Sequence, residues 1–83
     1  MVRISDLSRG DLLLVTAGVQ VPLGNITHED GSYRANEDES ESELEPGSTV
    51  VFICPLEGQD ESLVILANGR IGWVFTDEVD PCL

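Results

Sequence analysis

Residues 49–75 hold three apolar runs separated by turn chemistry, and this pattern constrains the fold more than any other feature of the chain. The first run is Thr49, Val50, Val51, Phe52, Ile53 and Cys54; the second is Leu63, Val64, Ile65, Leu66 and Ala67; the third is Ile71, Gly72, Trp73, Val74 and Phe75. β-Branched and aromatic residues dominate the first and third, as suits a pleated, half-buried surface. Asn68-Gly69 joins the second run to the third. Both central positions of a type I′ turn need positive φ, which Asn and Gly tolerate best, so this pair marks a tight antiparallel hairpin. Gly58-Gln59-Asp60-Glu61 marks the turn before it. The segment reads as a β-meander, and the fold class as all-β.

The chain has 83 residues, enough for one domain, expected to span residues 1–83. Its polar residues are segregated. A net charge of −12 arises from 16 acids against four arginines (Arg3, Arg9, Arg34 and Arg70), with no lysine. Eight of the acids, Glu29, Asp30, Glu37, Asp38, Glu39, Glu41, Glu43 and Glu45, fall within 17 residues. Affinity for nucleic acid comes from neutralising phosphates and releasing their counterions, so this balance argues against direct nucleic-acid binding. An anionic membrane surface is disfavoured for the same reason. A basic protein partner fits the charge. No apolar segment approaches bilayer length, and the opening Met-Val-Arg-Ile-Ser-Asp lacks a signal peptide's apolar centre, so a cytoplasmic location is expected.

A first strand is expected over Asp11–Ala17, where Leu12, Leu13, Leu14 and Val15 run continuously. Residues 6–15 echo residues 43–52: Leu7 and Leu44 each precede a glycine by three residues, and a strand follows at once. The echo reads as one glycine-turn device used twice. Between these strands lies a long connection, Gly18 to Pro46, expected to be an irregular hairpin with an acidic distal half, the acidic loop covering about 28–46. Within it Val19-Gln20-Val21 alternates like a strand, and Pro22-Leu23-Gly24-Asn25 has turn composition. Residues 36–45 alone have the composition of a disordered segment, with Leu44 as their one aliphatic. Thr76-Asp77-Glu78-Val79 resembles a helical turn capped by Thr76, and a last short strand is expected over Asp80–Leu83. The expected core is Leu12, Leu14, Val50, Phe52, Val64, Leu66, Ile71, Val74 and Val79, subject to a one-residue register slip.

Leu44-x-Pro46-Gly47-Ser48-Thr49-Val50-Val51, followed by Asn68-Gly69-Arg70-Ile71-Gly72-Trp73-Val74-Phe75-Thr76-Asp77-Glu78-Val79, resembles the SH3-like barrel in its bacterial form, over about 40 residues of the C-terminal half. The resemblance implies a small, partly open barrel of about five antiparallel strands, with the long acidic connection as the loop between the first two. It also implies that Trp73 and Val74 start the turn into the last strand. The chain departs from the polyproline-binding pattern: Ser62 and Leu63 stand where a groove tryptophan is expected, Thr76 replaces a proline and Val79 a tyrosine. A polyproline helix is held by stacking on such aromatics, so the departures argue against that ligand.

No catalytic constellation is legible. The single histidine, His28, lies in the acidic connection, away from Cys54 and Cys82, and the acids are clustered in a polar stretch. An enzyme is not expected, nor is a cofactor. Asp30-Gly31-Ser32 and the Glu37–Glu45 run offer hard oxygens but fit no calcium-loop pattern, and His28 has no second histidine to share a metal. The two cysteines match no metal or redox spacing and read as reduced thiols; a disulfide would require their strands to be neighbours. Trp73 is either a surface platform or a core anchor whose indole N–H reaches a carbonyl. The leading expectation is a non-catalytic protein-interaction module whose binding face combines Glu37, Asp38, Glu39, Glu41 and Glu43 with the neighbouring Tyr33 and Trp73. Two other readings stay open: an acidic mimic of nucleic acid that occupies a DNA- or RNA-binding protein, as a phage might encode, and a structural subunit or decoration domain of a larger assembly.

Overall fold

The computed structural model describes residues 2–36 and 42–82. It is all-β: the described residues contain nine short strands, two 3-10 turns and no α-helix. Five strands form one antiparallel sheet in the order β8-β7-β6-β1-β9. They are β1 (Leu12–Val15), β6 (Thr49–Pro55), β7 (Ser62–Ala67), β8 (Arg70–Phe75) and β9 (Val79–Pro81). The sheet does not close, because β8 and β9 stay at opposite ends of the order. The connection between β1 and β6 supplies two further pairs, β2 (Val21–Leu23) with β5 (Ser42–Leu44), and β3 (Ile26–Glu29) with β4 (Ser32–Ala35). The inner hairpin is thus nested within an outer one. The segment 36–45, read as disordered, carries a strand at its end, and Leu44 is buried in the core. The strand expected over Val19–Val21 instead spans Val21–Leu23, running through Pro22 and Leu23, which were expected to turn. Pro22 is tolerated there because β2 belongs to a two-stranded pair and the proline faces solvent.

Turn chemistry behaves as the sequence implies. Asn68 and Gly69 both take positive φ, 53° and 78°, closing the β7–β8 hairpin. Both copies of the leucine–glycine device recur in space. Asp11 donates to the Ser8 carbonyl at 3.0 Å and Ser48 to the Glu45 carbonyl at 3.1 Å, while the N–H groups of Gly10 and Gly47 reach the carbonyls of Phe52 and Val15. The last helical turn is a 3-10 segment, Thr76–Glu78, and its cap is not Thr76. Thr76 is buried, and the Glu78 carboxylate instead accepts from the Phe75 N–H at 2.9 Å.

The core register differs from expectation on two strands. Residues directly opposite in a sheet share a face. Val50 faces inward and pairs with Leu13, so Leu13 and Val15 are buried, while Leu12 is 52% exposed and Leu14 only half-buried. Phe52 pairs with Ile65, which turns Leu63, Ile65 and Ala67 inward. An apolar run unbroken by polar residues carries no phase, so only the pairing could reveal it. Val64 is buried on the opposite face, between Cys54 and Trp73. Val50, Phe52, Val74 and Val79 are core residues as expected. Leu66 and Ile71 are 38% and 44% exposed and continue an outward row, Leu12–Val51–Leu66–Ile71, across four strands.

The connection is fastened to the sheet where Leu23-Gly24 crosses Gly72-Trp73. Gly24 and Trp73 exchange both backbone hydrogen bonds, each 3.0 Å. A Cβ on Gly24 would overlap the Trp73 indole, and a Cβ on Gly72 would overlap Leu23 Cγ and lie 2.7 Å from the Gly24 carbonyl oxygen. Each dipeptide therefore lays its large side chain over the other's glycine. An indole can swing aside, but a backbone carbonyl cannot. Gly72→Ala is accordingly expected to destabilise the protein by about 2–3 kcal/mol in urea unfolding, as overpacking does. Gly18→Ala, with no atom within 4 Å of the added methyl and no positive φ, is expected to stay within about 0.5 kcal/mol of the parent.

Candidate functional site

The β3–β4 hairpin is built by its own sequence. Asp30 and Gly31 adopt φ of 50° and 78°, giving a two-residue turn with Glu29 and Ser32 as the closing pair. His28 and Tyr33 lie opposite each other, and their rings stack with centroids 4.6 Å apart at 17°. At the open end Asn36 donates from its backbone to the Asn25 carbonyl at 2.9 Å and from Nδ2 to Thr27 Oγ1 at 3.1 Å.

Facing β4 is the end of β6 and the β6–β7 turn. The register shifts between Phe52 and Cys54, so Ile53 is a bulge that bends the strand. Leu56 is buried and its N–H donates to the Ser62 carbonyl at 3.1 Å, which anchors the turn. Two hollows result, with Glu57 in the wall of both. One, of about 440 Å³, is lined by Arg9, Gly31, Ser32, Tyr33, Ile53, Cys54, Pro55 and Glu57. The other, of about 400 Å³, is lined by Arg34, Ala35, Glu57, Gly58 and Gln59. Burial pushes the Cys54 thiol up from its ordinary range; nearby Arg9 opposes this and Glu57 adds to it. A thiol held protonated is a poor nucleophile.

The residues expected to form one binding face are distributed. Tyr33 lies in the first hollow. Glu43 is exposed on β5, beside a separate hollow of about 250 Å³ that it shares with Leu23, Ala67 and Arg70. Trp73 lies on β8, against Gly24, with its ring edge-on to Phe75 at 5.0 Å. Its indole Nε1 is buried and donates to no atom among the described residues, so the expected bond to a carbonyl is not made. Glu37, Asp38, Glu39 and Glu41 lie outside the described residues. Nothing in the sequence joined Arg9, Ile53, Cys54, Pro55 and Glu57 into a site: Ile53 and Cys54 read as part of an apolar strand, Cys54 as a reduced thiol and Arg9 as one of four arginines. What gathers them is the bulge.

Cys54 and Cys82 are both free thiols. Among the described residues no group of three or more His, Cys, Asp or Glu is placed to hold a metal ion, and no helix is long and apolar enough to cross a membrane. No protein-family model, curated protein or solved structure matches the chain.

Cys82 is exposed and Cys54 half-buried with a raised pKa, so maleimide is expected to label Cys82 first, read by mass spectrometry. The lag of Cys54 should narrow as pH rises through the alkaline range. Equal rates at neutral pH would contradict the burial assigned to Cys54.

Proposed function

We propose that the chain is a non-catalytic protein-interaction module of SH3-like type, whose binding face is the cleft between the β3–β4 hairpin and the β6–β7 turn, with the acidic connection beside it. The observation that carries this reading is the cleft itself: Tyr33, stacked on His28 behind it, on one wall, an anchored turn on the other, and space between them. Kinship with the SH3-like barrel is supported by the five-stranded order and by the 3-10 turn that leads from Gly72-Trp73-Val74 into β9. The reading is supported further by the nested hairpins, which connect β1 to β6, where the resemblance expects the loop between the first two strands. The acid-rich chain favours a partner with a basic surface, and electrostatic steering would then speed encounter at low salt. Replacing Glu37, Asp38, Glu39 and Glu41 by their amides is expected to reduce partner capture in a low-salt pull-down and leave the unfolding transition in place. Tyr33→Ala should reduce capture at every salt concentration. Unchanged capture by both variants would overturn the reading, and displacement of DNA from the captured partner would favour the charge-mimic alternative.

A second reading, a subunit of a larger assembly, is supported by the outward row Leu12–Val51–Leu66–Ile71. If copies associate through it, added salt should raise the sedimentation coefficient by screening the −12 charge, and Leu66→Glu should abolish the effect. A monomer at all salt concentrations would remove self-association.

A further inference from the structure

β4 pairs with β3 and with no other strand among the described residues. In an antiparallel hairpin, residue pairs that exchange both backbone hydrogen bonds alternate with pairs whose N–H and C=O groups point away from the partner strand. The two-residue turn makes Glu29–Ser32 a bonded pair, and the bond from Asn36 to the Asn25 carbonyl fixes the same phase at the other end. Thr27–Arg34 is then bonded, while His28–Tyr33 and Ile26–Ala35 are the alternate pairs. The backbone groups of Tyr33 and Ala35 therefore point along the free edge of β4.

That edge borders the cleft. Gly31, Ser32 and Tyr33 line the first hollow, and Arg34 and Ala35 the second, whereas no residue of β3 lines either. Consecutive strand residues point to opposite faces, so a run of them can wall one cleft only if the cleft meets the strand at its edge. Arg9 and Arg34 also line these hollows, and neither is ion-paired among the described residues despite the chain's 16 acids.

We propose, building on the module reading above, that β4 accepts an extended segment of a partner protein as an added strand, and that a carboxylate on this segment meets Arg9 or Arg34. Main-chain bonds to Tyr33 and Ala35 hold the segment, as in other cases of strand addition to a sheet edge. Alternate apolar side chains of the segment lie against Tyr33 and Pro55. The charge-assisted bond to a guanidinium sets the register. The −12 charge limits the segment to few acids: at physiological ionic strength the screening length is about 8 Å, so contact with an arginine persists while a run of acids is repelled.

The test pans a random-peptide phage library on the full chain and titrates the selected synthetic peptides by NMR. Expected are non-proline peptides with one central carboxylate that protect the Tyr33 and Ala35 amides from exchange. Methylation of alternate peptide nitrogens should weaken binding about tenfold or more, as loss of several main-chain bonds requires. Ala35→Pro removes an outward N–H without touching the bonds to β3 and should do the same; the methylated peptides give the answer even if this variant unfolds. Selected peptides that bind the cleft but tolerate methylation, or that are proline-rich, would overturn strand addition and leave the module reading standing. Failure to select any peptide would also overturn it, and the low-salt pull-down would then decide the module reading separately.

Discussion

The structure depends on the crossing of Leu23-Gly24 with Gly72-Trp73. A small β domain has little core to spare, and this one must also carry a long excursion between β1 and β6. The excursion is held because two backbones approach closely enough for Gly24 and Trp73 to exchange both hydrogen bonds, and each glycine is covered by the neighbour's large side chain. Leu23 enters the core from the same position and Trp73 seals the outer face above Val64. An aromatic laid over a glycine at a sheet edge recovers the burial that the missing side chain forfeits. The crossing also sets where the β3–β4 hairpin starts, and so where its free edge meets the β6–β7 turn.

Charge follows the same division of labour. β6, β7 and β8 together carry a single charged residue, Arg70, whose guanidinium donates to Ser42 Oγ at 3.0 Å and so ties β5 to the β8 turn. Among the described residues the acids lie in turns and in the connection, apart from Asp80 on the edge strand β9. An antiparallel sheet with one wet face ordinarily alternates apolar and polar residues. Here both faces of the central strands are apolar. Trp73 and its neighbours cover one end of the outer face, while the row from Leu12 to Ile71 stays outward.

Much of the fold was legible. Asn68-Gly69, the leucine–glycine echo and the three apolar runs each encode local backbone geometry, and local geometry survives folding. Two things were not legible. The phase of β1 and β7 is absent from an unbroken apolar run; it is fixed by which partner residue lies opposite, as with Leu13 and Val50. The cleft was hidden because its walls come from residues 9, 31–35, 53–55 and 57–59, brought together by a bulge and by the crossing rather than by any motif. Tyr33 was recognisable as the only aromatic of the connection, but Trp73 was grouped with it on aromatic character alone. The glycine beside Trp73 was the better clue, since it marks close backbone approach and not a binding platform.

Native-state hydrogen exchange at the Gly24 and Trp73 amides tests the central claim most directly. If the crossing fastens the connection to the sheet, both amides exchange only through global unfolding, with the same opening free energy as amides of β6 and β7. Exchange of Gly24 at the rate of an exposed loop, while the β6 and β7 amides stay protected, would contradict it.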